Sequence, residues 1–238
     1  EISLGLVGSE MCIRDRPTGT ALIFVADSGE NCIAVAPGAN YSLLPGSIIH
    51  FSKVIDEADI IVMQAEIPYE TIKRIALLAK QKGKKVLFNP APACLIDEEL
   101  MKAIDILVVN ELEAAFISGI EYTGNNLEEI ALSLLQAGAR NAVITLGSQG
   151  VYMKNDKEII QLPGYKVNAI DTIAAGDTFC GALAVICAQR EIDRDALSFA
   201  NAAAAIAVTR SGAQPSIPTL DEVKHFMLEK ELALSFNF

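Results

Sequence analysis

From Ala58 onward, short apolar runs alternate with longer stretches whose apolar residues recur at helical spacing. That alternation constrains the fold more than any other feature of the chain. Residues 60–63, 85–88, 104–109 and 142–146 read as strands, the first of them fully buried, and residues 68–82, 111–117 and 126–137 as amphipathic helices between them. Strands apolar on both faces need cover on both faces, so the pattern predicts an α/β fold: a mostly parallel central sheet with helices on both faces. Residues 151–154 and 158–161 read as an antiparallel pair, and the last third of the chain reads as helical. In such a sheet, ligands bind beyond the C-terminal strand ends, so the loops after the strands are where chemistry is expected.

Ahead of this region, residues 20–25 and 31–35 are β-prone and are separated by Asp27-Ser28-Gly29-Glu30, which reads as a hairpin serving as an edge, a lid or a dimer surface. Residues 1–16 fit no secretory signal, and the string LVGSEMCIRDR resembles the conceptual translation of a sequencing-library adaptor. The organisation expected is therefore a non-native segment over 1–16, a partial β element over 17–45 and an α/β domain over 46–238.

Composition narrows the function. A chain of 238 residues that is 51% hydrophobic and 21% charged can bury a core, which excludes disorder as a description of the whole. Its 19 basic against 30 acidic residues leave a net charge of −11, so no general attraction to nucleic acid or to an anionic membrane is expected. The apolar runs are too short to span a bilayer. Five cysteines without a C-x-x-C pair argue against a disulfide framework or a zinc knuckle and fit a reducing cytoplasm. Two histidines, His50 and His225, supply neither a His-based zinc site nor a Ser-His-Asp triad well.

The densest candidate for chemistry is Asp171-Thr172-Ile173-Ala174-Ala175-Gly176-Asp177-Thr178-Phe179, running into a helical pattern. Small residues at a helix start leave backbone N–H groups open to an anion, and the carboxylate of Asp177 beside them can accept a proton during phosphoryl transfer. The plain alternative is an N-cap aspartate. No G-x-x-x-x-G-K-[ST] string occurs, so a kinase in this chain uses a layout other than Walker A.

Asp171 to Phe179 resembles the C-terminal signature of the ribokinase-like (PfkB-type) carbohydrate kinase family. Asn89-Pro90-Ala91-Pro92-Ala93, Val109-Asn110-Glu111-Leu112-Glu113, Thr145-Leu146-Gly147-Ser148-Gln149-Gly150 and Gly212-Ala213-Gln214-Pro215-Ser216 match further family segments in order. The resemblance implies ATP-dependent phosphorylation of ribose to ribose 5-phosphate. Asp177 would be the general base that contacts the sugar, and Ala174, Ala175 and Gly176 the anion hole. Asn110 and Glu113 would organise Mg²⁺ through water. Thr145, Leu146, Gly147, Ser148, Gln149 and Gly150, with Asn110, Gly176 and Asn201, would line the ATP site. The side chains of Asp171 and Ser216 and the main-chain oxygens of Ile173, Ala207, Arg210 and Gly212 would hold K⁺. Glu66 would contact the sugar, and the β hairpin would act as lid and homodimer surface.

Each assignment has a structural alternative: a helix start at Asn110, a tight turn at Gly147–Gly150, a solvent-facing helix position at Asn201, a turn at Asp171, a helix stop at Gly212 and capping by Glu66. The family's first strands, Gly-Gly motif and early Asn/Asp pair have no match before Pro17. That leaves two further expectations: a related kinase acting on deoxyribose, another pentose or a nucleoside, or an inactive nucleotide-binding fragment.

Overall fold

Successive residues of the central strands go to opposite cores, which is why the strands read as continuously apolar. The structure, a computed structural model, describes residues 17–25 and 31–230; the segment 1–16 and the hairpin turn 27–30 lie outside the described residues. Antiparallel strands β1 (Thr20–Val25) and β2 (Asn31–Ala36) form the expected hairpin and pair only with each other. A short helix α1 (Ser52–Glu57) leads into β3 (Ile60–Gln64). The chain then alternates through α2 (Tyr69–Gln81), β4 (Lys85–Asn89), α3 (Glu98–Ala103), β5 (Ile106–Asn110), α4 (Glu111–Ser118), α5 (Leu127–Gln136) and β6 (Ala142–Thr145). Strands β7 (Val151–Lys154) and β8 (Ile159–Leu162) follow, then helices α6 (Ala175–Gln189), α7 (Arg194–Ala207) and α8 (Leu220–Glu229).

The six-stranded sheet has the order β3-β4-β5-β6-β7-β8, with the first four strands parallel and the last two antiparallel. Val86, Phe88, Leu107, Val109, Ala142 and Ile144 point to one face and pack with α2, α3, α4 and α5. Leu87, Ile106, Val108 and Val143 point to the other, where Phe179 and Leu183 of α6, Leu197 and Ala200 of α7 and Val223 and Met227 of α8 close the core. Period-two alternation between two apolar environments thus replaces the apolar/polar alternation of a one-sided sheet.

One expectation is corrected. Residues 60–63 were read as a buried strand, but β3 is the outermost strand of the described sheet, and Val62 is 39% exposed. Its apolar sequence reflects packing of one flank against β4 and α6, while the other flank has no strand beside it among the described residues. No helix of the described residues is long and apolar enough to cross a membrane.

The polar residues that end the parallel strands mark one edge of the sheet. Gln64 pairs with Asn89, and Asn110 pairs with Thr145, each at the last position of its strand. Asn89 Nδ2 donates to Val108 O at 2.8 Å, tying that row together. Helix α6 runs antiparallel to β4. The Lys85 ammonium at the start of β4 donates to Cys187 O and Arg190 O, both at 2.8 Å, and so caps the C-terminal end of α6. Fifteen residues further back, about 22 Å at helical rise, the N-terminus of α6 reaches the edge where the parallel strands end.

The turn after β6 is locked to the end of β8 by close backbone approach. Gly150 has φ +102°, and a Cβ there would sit 2.1 Å from Leu162 O. We expect Gly150→Ala to cost at least ~2 kcal/mol through strain and clash. Thermal melting of the two proteins checks this, and an unchanged midpoint would contradict the packing described.

Candidate active site

The first turn of α6 is built to leave its amides unclaimed. Its N-cap is Ala174, in the left-handed region at φ 59°, and no side chain caps it. Ala174 is the single non-glycine residue with positive φ among the described residues. An alanine there carries strain on the order of 1–2 kcal/mol. Ala175 N donates to Thr172 O and Thr178 N to Ala174 O, but the N–H groups of Gly176 and Asp177 have no acceptor among the described residues. By contrast, α7 is capped by Asp193, whose carboxylate accepts from Ala196 N at 2.8 Å. An uncapped helix start with two open donors and a partial positive charge is an anion-binding device.

Asp177 therefore is not the N-cap. It lies in the first turn, exposed, with its carboxylate beside the open amides. Cys180, one turn further on, is buried, and its thiol is pushed up to about 12, first by burial and then by the negative charges of Asp177 and Glu113. Both carboxylates therefore act on the same neighbourhood, and Cys180 is an inert packing residue in it.

Beside this turn lies a cleft of about 470 Å³ that opens between the α6 start, the β6 turn and α7. Of the residues expected at a nucleotide, it brings together Thr145, Gly147, Ser148, Gly150, Gly176 and Asn201, along with Ala175 of the expected anion hole. Leu146 differs, because its side chain is 4% exposed and belongs to the core, leaving only its backbone toward the turn. Leu146 N donates to Gly150 O at 2.8 Å, closing that turn. Asn201 is not a solvent-facing residue. It is 8% exposed, and its Nδ2 donates to Pro163 O at 3.0 Å. Thr172 of the Asp171–Phe179 motif also lines the cleft, as do Tyr165 and Lys166, which the sequence does not mark. Residues 163–172 have no regular structure, and no local pattern marks such a segment as a cleft wall.

Asn110 and Glu113 form a reciprocal capping box at the start of α4. Asn110 Oδ1 accepts from Glu113 N at 2.8 Å, and Glu113 Oε2 accepts from Asn110 N at 2.9 Å. The helix-start reading of N-E-L-E is thus structurally right. Each side chain keeps polar atoms beyond the box, so the pair can also bind a water shell. Burial pushes the Glu113 carboxyl above the ordinary carboxylate range, against the Asn110 N–H bond, so a nearby cation would favour its charged form. No cluster of three or more His, Cys, Asp or Glu able to hold a metal occurs among the described residues. Two oxygen-bearing side chains of this kind fit a hard divalent cation that keeps most of its own waters.

The residues expected around a monovalent ion also converge. Asp171 Oδ1 accepts from Ile173 N and Oδ2 from Gly212 N, both at 2.9 Å, which holds the carboxyl below its usual range, Gly212 first. Ser216 is fully buried, and its hydroxyl donates to Ala213 O at 2.7 Å, leaving oxygen lone pairs available. Arg210 N donates to Ala207 O at 3.1 Å, and Ile170 N and Asp171 N both donate to Val208 O, so the C-terminal end of α7 joins the same cluster. Oxygen-only donors of this kind fit a hard monovalent cation. Glu66 stands apart, exposed in the turn after β3; the N-cap of α2 is Pro68 with no side-chain cap, so capping does not explain Glu66.

A larger cavity of about 730 Å³ lies at the opposite end of the sheet, near Arg140, Asn141 and Glu191. Two of the cations lining it are already paired, Arg140 with Asp105 and Glu191 and Lys154 with Glu128. The smaller cleft is the candidate because unclaimed donors face it at the strand ends where ligands of open α/β sheets bind, with Asp177 in the same first turn of α6 as the lining residues Ala175 and Gly176.

The chain is similar in sequence and fold to known proteins. Residues 7–220 match the pfkB family of carbohydrate kinases. The chain is 41% identical over 208 residues to a ribokinase of Staphylococcus aureus, covering 87% of this chain and 68% of that one. It is 33% identical over 213 residues to a deoxyribokinase of Salmonella typhi, covering 88% and 69% respectively. The solved structure of an Arabidopsis thaliana ribokinase complexed with ribose and ATP superimposes with a TM-score of 0.82 at 28% identity, covering 94% of this chain and 71% of that one.

The cluster around Asp171 and Ser216 is braced from α8. Arg210 pairs with Glu222, which also accepts from Thr219, and the Arg210 guanidinium is the main reason that the Glu222 carboxyl falls to about 2. A depressed folded-state pKa stabilises above the ordinary 4.5, and that contribution disappears as pH falls toward about 2. We expect Glu222→Gln to flatten this part of the acid dependence while lowering stability at neutral pH. Urea unfolding of both proteins across that window tests it; parallel curves would remove the pair from the stability account.

Proposed function

Because the chain belongs to the pfkB family of carbohydrate kinases, we propose that it transfers the γ-phosphoryl group of ATP to the primary hydroxyl of ribose, giving ribose 5-phosphate and ADP. The observation that carries this reading is the uncapped start of α6, where unclaimed amides and the Asp177 carboxylate share one turn at the mouth of the cleft. As the sugar oxygen bonds to phosphorus and the bond to the β-phosphate oxygen breaks, Asp177 takes the hydroxyl proton. The anion hole of the Ala174-Ala175-Gly176 turn receives the charge on the transferring group, through the open amides of Gly176 and the adjoining Asp177, with the Ala175 N–H given to Thr172 O until a ligand displaces it. Mg²⁺ arriving with ATP would neutralise charge on the phosphates, held through water by Asn110 and Glu113. K⁺ at the Asp171–Ser216 cluster would order the loop that carries the anion hole without touching the reacting atoms.

Glu66, exposed on the turn after β3, supplies an acceptor for sugar hydroxyls. The β1–β2 ribbon is assigned as lid and homodimer surface. Leu22 and Val35 lie on its opposite faces and are 59% and 53% exposed, so neither face is covered within the described chain. A second reading, phosphorylation of 2-deoxyribose, is favoured by the likeness to the Salmonella typhi deoxyribokinase.

The test is sugar-dependent ADP release by the 238-residue chain with MgATP and K⁺. We expect Asp177→Asn to lower turnover by ~10²–10⁴-fold with ATP affinity largely kept, because only proton acceptance in the transition state is lost. Near-normal turnover of that variant would remove Asp177 from the base role. A higher kcat/KM on 2-deoxyribose than on ribose would transfer the assignment to the second reading. Replacing K⁺ by Na⁺, or omitting both, is expected to slow turnover; equal rates in all three buffers would eliminate the monovalent site.

A further inference from the structure

The wall of the cleft between Pro163 and Asp171 is a strap hydrogen-bonded at its ends and pinned near its start by Tyr165, whose ring meets Phe226 edge-on at 5.3 Å. Asn201 Nδ2 fixes Pro163 O at one end, and Val208 O accepts from Ile170 N at 2.7 Å and Asp171 N at 3.2 Å at the other. Near its start, Gly164 lies against the β6 turn so closely that a Cβ would be 2.2 Å from Ser148 O. Between these anchors, residues 164–169 form no backbone–backbone hydrogen bond among the described residues. Lys166 sits in this span and lines the cleft. It is exposed, and it has neither an ion pair nor a hydrogen bond among the described residues.

The electrostatics give that lysine a task. Among the described residues it is the single charged one lining the cleft, beside uncharged neighbours such as Thr145, Ser148, Asn201 and Ala205. The α6 start contributes about half a positive charge. The chain as a whole is acidic, at −11, and Asp171 and Asp177 adjoin in sequence the lining residues Thr172 and Gly176. A polyphosphate entering this cleft gains from a positive charge that can follow it, and a lysine on a long flexible stem is suited to that part.

Resting on the ATP reading above, we propose that Lys166 reaches across the cleft to the polyphosphate of the bound nucleotide, so that affinity for ATP and ADP depends on it and affinity for adenosine does not. Lys166 is thus a binding residue that reads the phosphate chain.

Calorimetric titration of the full chain with ATP, ADP and adenosine tests this in wild type, Lys166→Met and Lys166→Arg. Methionine keeps a long apolar stem without the charge, and arginine restores the charge. We expect Lys166→Met to weaken ATP and ADP about tenfold, to leave adenosine unchanged, and to make ATP affinity less sensitive to salt. Lys166→Arg is expected to recover most of the loss. Unchanged ATP affinity in Lys166→Met, or an equal loss for adenosine, would overturn the inference and leave the nucleotide site standing. Wild type that binds none of the three ligands would instead overturn the nucleotide reading, and this inference with it.

Discussion

Adding each new parallel strand on the same side of the last, with crossovers of one hand, leaves every crossover helix on a single face. Here α2, α3, α4 and α5 all pack on the face carrying Val86, Phe88, Leu107 and Ile144. The opposite face, with Leu87, Ile106, Val108 and Val143, is equally apolar and must be closed by chain from elsewhere. The helical last third does this, and its need to lie flat on the sheet dictates where α6 begins. The candidate active site is a consequence of that closure: α6 lies antiparallel to β4 because Lys85 holds its C-terminal carbonyls, so its open N-terminus arrives at the polar row Gln64, Asn89, Asn110 and Thr145.

The same arrangement explains why local signals at the site carry two meanings. Asn110 and Glu113 complete a capping box and stand at the strand edge where a hydrated metal would be met. Asp171 makes an Asx-type bond to Ile173 N and also clamps Gly212, 41 residues away, so turn chemistry and loop assembly are one interaction. Ala174 adopts a left-handed conformation that an alanine avoids elsewhere in the described chain. The strain is local, while its result, two amides without acceptors, is of use only to a ligand.

Much of the layout was legible because hydrophobic period is a local property. The strands over residues 85–88 and 151–154, the helices over 68–82 and 126–137, and the hairpin strands are observed within a residue or two of their expected bounds. Motif spacing located the α6 start and the β6 turn, which meet at one cleft. The exposure of β3 was not legible, since an apolar strand reads the same at the edge of a sheet as in its middle. Nor was the place of Asn201, whose burial depends on Pro163 coming to it from 38 residues away. The same holds for Lys166 and Tyr165, which lie in a segment without period or turn signature.

The sequence by itself determined the α/β class, the order of elements and the family likeness, because these follow from periodicity and from motifs only a few residues long. Tertiary structure alone decided which residues share a cleft, which polar atoms remain unclaimed and which face of each helix is buried. Those properties are set by contacts between segments tens of residues apart, and no local pattern encodes the distance between them.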